Sequence, residues 1–256
     1  MRAPVDTIVA PLFPTRLPWV NLAGGGGARA SVLQRGKPML VEFWDFCRPN
    51  SLRTLPYVEA WHERYAAAGL RVIGVHCPGF EASQDEQAVR DAVARLDVTY
   101  PVLIDSAFEV WNDYGNEGWP ARYLFDGHAR LFDYHYGEGA YADTELAIQE
   151  LLGVELEPLA PLRPEDAPAA RLLAQTADQP GAYCGPYEAG GVWAVLDGAG
   201  QVTVADGSAG GRRELAVEHP GAYPLLEHDR HTTGTLELEV GRGVRCLATC
   251  FTPGVA

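Results

Sequence analysis

The sequence predicts a mixed α/β domain followed by a small all-β sandwich. Three observations support this prediction. Apolar runs alternate with stretches of helical periodicity through the first 153 residues, an order typical of a central sheet flanked by helices. The pair Asp126-Gly127 joins two strand-like segments, which indicates an antiparallel hairpin after the parallel units. From residue 181 onward, short alternating segments separated by glycine turns indicate strands alone.

The stretch Met39–Pro56 organises the first domain. Its first six residues are apolar except for Glu42, and their polar borders predict a buried central strand. Apolar residues then recur every three to four positions, so a helix follows, with Asn50 or Ser51 as its cap and Pro56 as a kink. The N-terminus of a helix favours anions, including a thiolate. Side chains in the loop between strand and helix are therefore candidates for chemistry.

The other elements of the first domain follow from local patterns. We predict a short strand at Leu17–Asn21, a flexible turn at Gly24–Gly27, a strand at Leu70–His76, a helix after the capping pattern Ser83-x-x-Glu86, a strand at Pro101–Asp105, a short helix around Trp111, strands at Ala121–Phe125 and Arg130–Tyr136, and a last helix that ends at Gly153.

The Met39–Pro56 stretch resembles the active-site segment of the thioredoxin superfamily, in particular TlpA-like redoxins and the thioredoxin-like part of DipZ-type proteins. In those families an acidic residue and Phe-Trp precede Cys-x-x-Cys, and a kinking proline follows. Glu42-Phe43-Trp44 and Pro56 keep that spacing here. The same spacing puts Arg48 and Ser51 at the two cysteine positions, and Cys47 lies one residue too early. The resemblance implies an α/β thioredoxin fold with a degenerate redox site.

The resemblance also implies roles for residues around that site. Glu42 corresponds to the buried acid that assists proton transfer to the thiols. Pro120, after Trp119, corresponds to a cis-proline that faces the active-site loop. With Arg48 and Ser51, this pair would line a substrate-binding groove. The likeness covers roughly residues 10–153, through the turn Gly-Glu-Gly at 137–139 and the helix after it.

We predict three segments: a redoxin domain at 1–153, a proline-rich linker at 154–180 with a short helix at Ala169–Ala174, and a β-sandwich at 181–256. DipZ-type proteins also carry a β-sandwich after their thioredoxin part, and the order here resembles theirs. A sheet this small would pack on the first domain or on a second copy, so a homodimer through the sandwich remains open. The predicted strands are Val192–Leu196, Gln201–Ala205, Arg213–Glu218, Ala222–Leu226, Thr235–Val240 and Val244–Phe251.

Composition argues against several functional classes. A net charge of −14 disfavours nucleic-acid and anionic-membrane partners, because these bind to basic patches on a protein surface. No segment approaches the roughly 20 apolar residues that span a bilayer, and the N-terminus lacks the apolar stretch of a secretory signal, so we predict a cytoplasmic protein. Five irregularly spaced cysteines predict neither a disulfide framework nor a zinc site. His228-Asp-Arg-His231 is interpreted as a polar loop, and we predict no metal and no cofactor.

Dithiol exchange requires two sulfurs within bonding reach, one to attack and one to resolve the mixed disulfide. Cys47 is the remaining candidate nucleophile, and Arg48 beside it and the helix N-terminus would both lower its pKa. The alternative is that Cys47 points into the protein as a small apolar side chain. Cys77 follows a neighbouring strand and would bridge to Cys47 only if their Cα atoms came within about 7 Å. Otherwise it is an unpartnered thiol at the end of a strand.

Two functional hypotheses follow. The first is a protein of the thiol–disulfide oxidoreductase family that has lost its dithiol and acts on a protein or peptide thiol or disulfide through Cys47, with Glu42 assisting. The second is a catalytically inactive binding or scaffold protein that keeps the groove near Arg48 and Trp119-Pro120 and uses the sandwich as well.

Overall fold

A computed structural model of the chain describes residues 7–22, 33–207 and 211–256. The turn predicted at Gly24–Gly27 lies outside these ranges. The contacts divide the chain into two compact units. One comprises the chain through Asp45 together with Asn50–Ala160, and the other comprises Phe46–Pro49 together with Pro161–Ala256. None of the helices in the described ranges has the length and apolarity needed to cross a bilayer.

The first unit contains a six-stranded mixed sheet flanked by helices, as the sequence predicts. The elements are β1 (Trp19–Val20), β2 (Met39–Trp44), α1 (Pro49–Tyr65), β3 (Arg71–His76), a 3-10 turn (Glu81–Ser83), α2 (Glu86–Arg95), β4 (Val102–Ile104), α3 (Glu109–Asp113), β5 (Ala121–Phe125), β6 (Leu131–Tyr136) and α4 (Tyr141–Leu152). The strand order in the sheet is β1-β4-β3-β2-β5-β6, in which β2 pairs parallel with β3 and antiparallel with β5.

The central position of β2 explains its composition. Every residue of this strand is buried, because β3 and β5 bond to its two edges and its side chains pack into the core. A strand buried on both faces reads as a continuous apolar run rather than an alternating one. Glu42 interrupts that run and is itself completely buried. It is thus the one charged side chain of β2 that must be accommodated inside the domain.

Helix α1 begins two or three residues earlier than the sequence predicts. Its first residue is Pro49, so the prediction that Asn50 or Ser51 caps the helix is wrong. Proline suits the first turn, because its fixed φ matches a helix and its missing N–H would have had no intrahelical partner there. Pro56 lies inside the helix, as predicted. The early start leaves only residues 45–48 to connect β2 to α1.

The second unit is β-rich, as predicted. Its elements are a 3-10 turn (Pro164–Asp166), β7 (Leu172–Leu173), β8 (Gln179–Pro180), β9 (Gly185–Gly198), β10 (Gly200–Asp206), β11 (Arg212–Val217), β12 (Gly221–Val240), β13 (Val244–Thr252) and β14 (Gly254–Val255). The strands form an antiparallel six-stranded sheet of order β11-β10-β12-β9-β13-β8 and a two-stranded sheet of β7 and β14. Aliphatic and aromatic side chains such as Val192, Leu236 and Phe251 form the core of this unit.

Two local predictions in this unit are wrong. The helix predicted at Ala169–Ala174 is absent, because Leu172–Leu173 forms a strand that pairs with Gly254–Val255. The polar loop predicted around His228 is instead part of the 20-residue strand β12, where the pairing with β9 shifts register between Glu227 and Thr232. A register shift of this kind leaves residues unpaired within a strand, so the polar residues can remain part of β12.

Candidate active site

The loop between β2 and α1 contains one cysteine, Cys47. Cys47 forms no disulfide, and its side chain has no exposed surface. Arg48, the next residue, is partly exposed and directly precedes the helix. The structure therefore places the sulfur inside the protein and the guanidinium-bearing side chain nearer to solvent.

Ser51, in the first turn of α1, holds this loop by a hydrogen bond. Its Oγ accepts a hydrogen bond of 3.2 Å from the backbone N–H of Asp45, and both residues are fully buried. The Asp45 carboxylate accepts a 2.7 Å hydrogen bond from the N–H of Gly79 and lies 3.5 Å from Nε2 of His76. These bonds tie the end of β2 both to the helix and to the segment that follows β3.

Replacing Ser51 with alanine is expected to lower the free energy of unfolding by about 1–2 kcal/mol, because the buried N–H of Asp45 would lose its acceptor. Chemical denaturation followed by circular dichroism would measure this. Ser106→Ala is the matched control, since its hydroxyl bonds Gln84 O at an exposed position and its loss should cost under about 0.5 kcal/mol. Equal losses in the two variants would contradict a specific role for Ser51 in holding the loop.

Glu42 is held in a strongly perturbed environment. Burial raises its pKa from an ordinary value of 4.5 to about 8, and the charge of Arg122 opposes this rise. Its Oε2 lies 3.5 Å from the hydroxyl of Tyr100, whereas Oε1 has no hydrogen-bond partner among the described residues. In the pairing of the strands, Glu42 stands opposite Arg122 on β5 and Gly74 on β3. At neutral pH this carboxyl is mostly protonated and can act as a proton donor.

Arg122 is the residue of this region that the sequence analysis did not single out. It is buried, its Nη2 donates to Gly139 O at 2.5 Å, and its guanidinium lies 5.1 Å from the ring centre of Tyr141. Burial lowers its pKa, and the charges of nearby acidic groups oppose that shift. The available signal was a single arginine inside the otherwise uncharged segment Ala121–Phe125, which matches the single glutamate of β2.

Cys77 is not suited to attack a disulfide. The thiol is buried and free, and its Sγ lies 3.6 Å from Oδ2 of Asp105. Burial raises its pKa well above the ordinary value, and the negative charge of Asp105 raises it further. The Asp105 carboxylate also accepts hydrogen bonds from the backbone N–H groups of Glu109 and Trp111. The geometry leaves Cys77 a protonated thiol at the end of β3.

Trp119 and Pro120 lie just before β5, at the edge of the sheet where β2 leads into the loop. Ala121 pairs with Phe43, so Pro120 comes level with the end of β2, and the Trp119–Pro120 peptide bond is cis. Trp119 is partly exposed, and its indole N–H donates to Cys77 O at 2.9 Å. Its ring packs at 4.3 Å from that of Trp111. These contacts fix the Trp119 side chain beside the end of β3.

No group of three or more His, Cys, Asp or Glu side chains that would hold a metal ion occurs in the described ranges. Of the two histidines in the predicted polar loop, His228 lies with Nε2 2.9 Å from the hydroxyl of Tyr187, and His231 lies 3.6 Å from a carboxylate oxygen of Glu188.

Comparison with known proteins shows which superfamily the chain belongs to. No protein-family model matches the chain. A curated relative, Protein DipZ of Mycobacterium bovis, is 34% identical over 164 residues, which are 62% of this chain and 24% of DipZ. A solved solution structure of a thioredoxin-like protein in the oxidised form superimposes with a TM-score of 0.50 at 25% identity, and the match covers 57% of this chain and 97% of that one. The chain belongs to the thioredoxin superfamily.

Within the superfamily, this redoxin is also similar to thiol–disulfide oxidoreductases. It is 28% identical to the thiol–disulfide oxidoreductase YkuV of Bacillus subtilis over 134 residues, which are 52% of this chain and 87% of YkuV. The match to DipZ spans about a quarter of that longer protein. The predicted resemblance to thioredoxins and to DipZ is thereby confirmed.

Proposed function

We propose that this thioredoxin-superfamily protein exchanges thiols and disulfides through Cys47 alone, at a degenerate active site. The observation that carries this proposal is that Cys47 is the sulfur in the loop leading into α1. The other cysteines stand at 77, 184, 246 and 250, so no pair in the sequence has the Cys-x-x-Cys spacing. Arg48 and Ser51 occupy the places that the family's spacing assigns to the two thiols.

In the proposed reaction, the Cys47 thiolate attacks one sulfur of a protein, peptide or low-molecular-weight disulfide. A mixed disulfide forms as the substrate's S–S bond breaks, and the other half leaves as a thiolate. A second, external thiol then attacks the mixed disulfide and releases Cys47. The external thiol forms a new disulfide with the bound half of the substrate, and Cys47 returns to its starting state. A further external thiol attacks that new disulfide, which completes the reduction of the substrate and leaves the two external thiols joined as a disulfide.

The other residues take supporting roles in this proposal. Glu42 exchanges the proton of Cys47, and because its pKa is raised to about 8, it becomes an effective base only above that pH. We assign Arg48, Trp119 and Pro120 to substrate binding, and Ser51 to holding the loop from inside. We propose residues 1–153 as the redox module, 154–180 as the linker and 181–256 as the β-sandwich module. Because Cys47 is buried, exchange requires the loop to open, and its rate should be well below that of an exposed thiol.

Incubation with glutathione disulfide, followed by peptide mass spectrometry, tests the proposal. We expect a mixed disulfide on Cys47 whose rate of formation rises through about pH 8 and loses that rise in Glu42→Gln. Cys184 is exposed and serves as an internal reference for a thiol outside the site. Cys77→Ser should leave the Cys47 adduct unchanged.

An opposite result has a clear meaning. If Cys184 is modified while Cys47 stays unmodified at every pH, single-thiol exchange is ruled out. The groove would then be a non-catalytic binding site, which is the second hypothesis of the sequence analysis. Equal disulfide reduction by wild type and Cys47→Ser would also exclude Cys47 as the nucleophile.

A further inference from the structure

A groove lined by aromatic side chains lies on the first unit, beside the hairpin of β5 and β6. Its volume is about 420 Å³, within the size range of small-molecule sites. We call it the tyrosine groove and define it by the five rings of Tyr114, Phe125, Tyr123, Tyr134 and Tyr136. Ile8 and Val9 form part of its wall and expose about half of their surface, so apolar area meets solvent at the mouth of the groove.

Most neighbouring rings of the tyrosine groove meet at steep angles, whereas Tyr123 and Phe125 stack at 19° with centroids 6.5 Å apart. Tyr123 and Tyr136 meet at 88° with centroids 5.9 Å apart, and Tyr134 and Tyr136 meet at 72° at 5.7 Å. Tyr114 meets Tyr123 at 71° and 5.8 Å. Edge-to-face packing of this kind fixes the rings against one another, so the groove has a preformed aromatic wall. Aromatic rings attract a cation through their quadrupole.

Hydrogen bonds hold the Tyr123 hydroxyl in place. The Tyr123 hydroxyl lies 2.8 Å from Oδ1 of Asn116 and 2.9 Å from the Tyr136 hydroxyl. Burial raises the pKa of both Tyr123 and Tyr114 far above neutral pH. The hydroxyl of Tyr123 is thus engaged by protein partners, and this ring contributes to the groove mainly as an apolar aromatic surface.

Two carboxylates give the groove its charge. Asp113 and Glu117 both line it, and both residues are exposed at its edge. No basic residue lines this groove in the part of the chain that the structure describes. A negative edge around neutral aromatic walls complements a positive ligand and repels an anionic one.

We infer that the tyrosine groove binds a small organic cation of the quaternary ammonium class. Such a cation is weakly hydrated and carries apolar methyl groups, so it loses little water on entering a wall of rings and makes van der Waals contact with each of them. A primary ammonium is strongly hydrated and would lose more water on entering the same groove. Asp113 and Glu117 contribute attraction from the edge without having to be desolvated.

The test is an NMR titration of the full chain with two probes of the same shape. Choline carries the quaternary charge, and 3,3-dimethylbutan-1-ol is its neutral isostere. We expect choline to shift the amide signals of β5 and β6 and to bind about tenfold more tightly than the neutral probe. Equal affinity for the two probes would overturn the inference, and so would the absence of binding by both.

Three variants separate the contribution of the Tyr136 ring to choline binding from that of the two carboxylates. Tyr136→Phe should keep choline binding because the ring remains, whereas Tyr136→Leu should weaken it about fivefold to tenfold. The double variant Asp113→Asn with Glu117→Gln should weaken it severalfold and bring choline closer to the neutral probe. The matched control is Glu155→Gln with Glu157→Gln, which changes the net charge equally at exposed positions outside the groove.

The control also defines the result that would contradict the site. If both double variants weaken choline equally, the protein attracts cations only through its overall charge. If sedimentation shows a dimer that Tyr136→Leu dissociates, a second copy occupies the groove instead.

Discussion

Replacing both Arg48 and Ser51 with cysteine is expected to raise the rate of insulin disulfide reduction by at least about a hundredfold, since a dithiol resolves its own mixed disulfide intramolecularly. Arg48 is partly exposed, as an attacking thiol must be, and Ser51 is buried behind it, as suits a resolving thiol. The two positions are three residues apart across the first turn of α1, a spacing that brings side chains together. A turbidity assay with dithiothreitol as the electron donor measures the change.

Two controls make this gain interpretable. The pair Arg48→Ala with Ser51→Ala removes the same side chains without adding sulfur and should show no gain. Cys47→Ser, added to the double-cysteine variant, should leave the new activity intact, because Cys47 lies outside the restored motif. If the folded double variant forms no disulfide between the introduced cysteines on oxidation, the correspondence of Arg48 and Ser51 with the family's two thiol positions is wrong.

The central segment was predictable because its signals are local. The buried strand Met39–Trp44, the helix after it and the hairpin at Asp126-Gly127 each follow from period and turn chemistry within a few residues. Spacing alone aligned Glu42 and Pro56 with the thioredoxin superfamily, and the comparisons confirm that resemblance. Local sequence did not reveal the pairing of Glu42 with Arg122, because 80 residues separate two strands that become neighbours only when the sheet forms.

The errors in the second unit have the same origin. Leu172–Leu173 lies in a stretch with helix-forming neighbours, but it pairs with Gly254–Val255 at the far end of the unit. Propensity is a weak determinant where tertiary pairing is available. The polar residues around His228 likewise suggested a loop, although β12 carries them through an irregular pairing with β9. At Cys47, the sequence left two orientations of the side chain open, and the folded structure places the thiol inside the protein.

The second large effect concerns Glu42 and the dependence of stability on pH. Its folded-state pKa of about 8 lies above the ordinary value of 4.5, so between these values the folded protein holds a proton that the unfolded chain releases. Its contribution to stability is therefore fully present below about pH 4.5 and is lost as the pH rises through about 8. The difference of 3.5 pKa units, at about 1.36 kcal/mol each, sets an upper bound of about 5 kcal/mol on that loss.

Glu42→Gln should remove this loss, because the amide has nearly the same shape and stays neutral at every pH. We expect the variant to match wild type near pH 4.5 and to exceed it by up to several kcal/mol at pH 9, measured by urea denaturation across that range. Glu155→Gln, at an exposed site, should follow the wild-type curve throughout. Other groups titrate in the same interval, so the informative quantity is the difference between variant and wild type at each pH. A difference that does not grow between pH 5 and pH 9 would mean that Glu42 is already ionised in the folded protein and paired with Arg122.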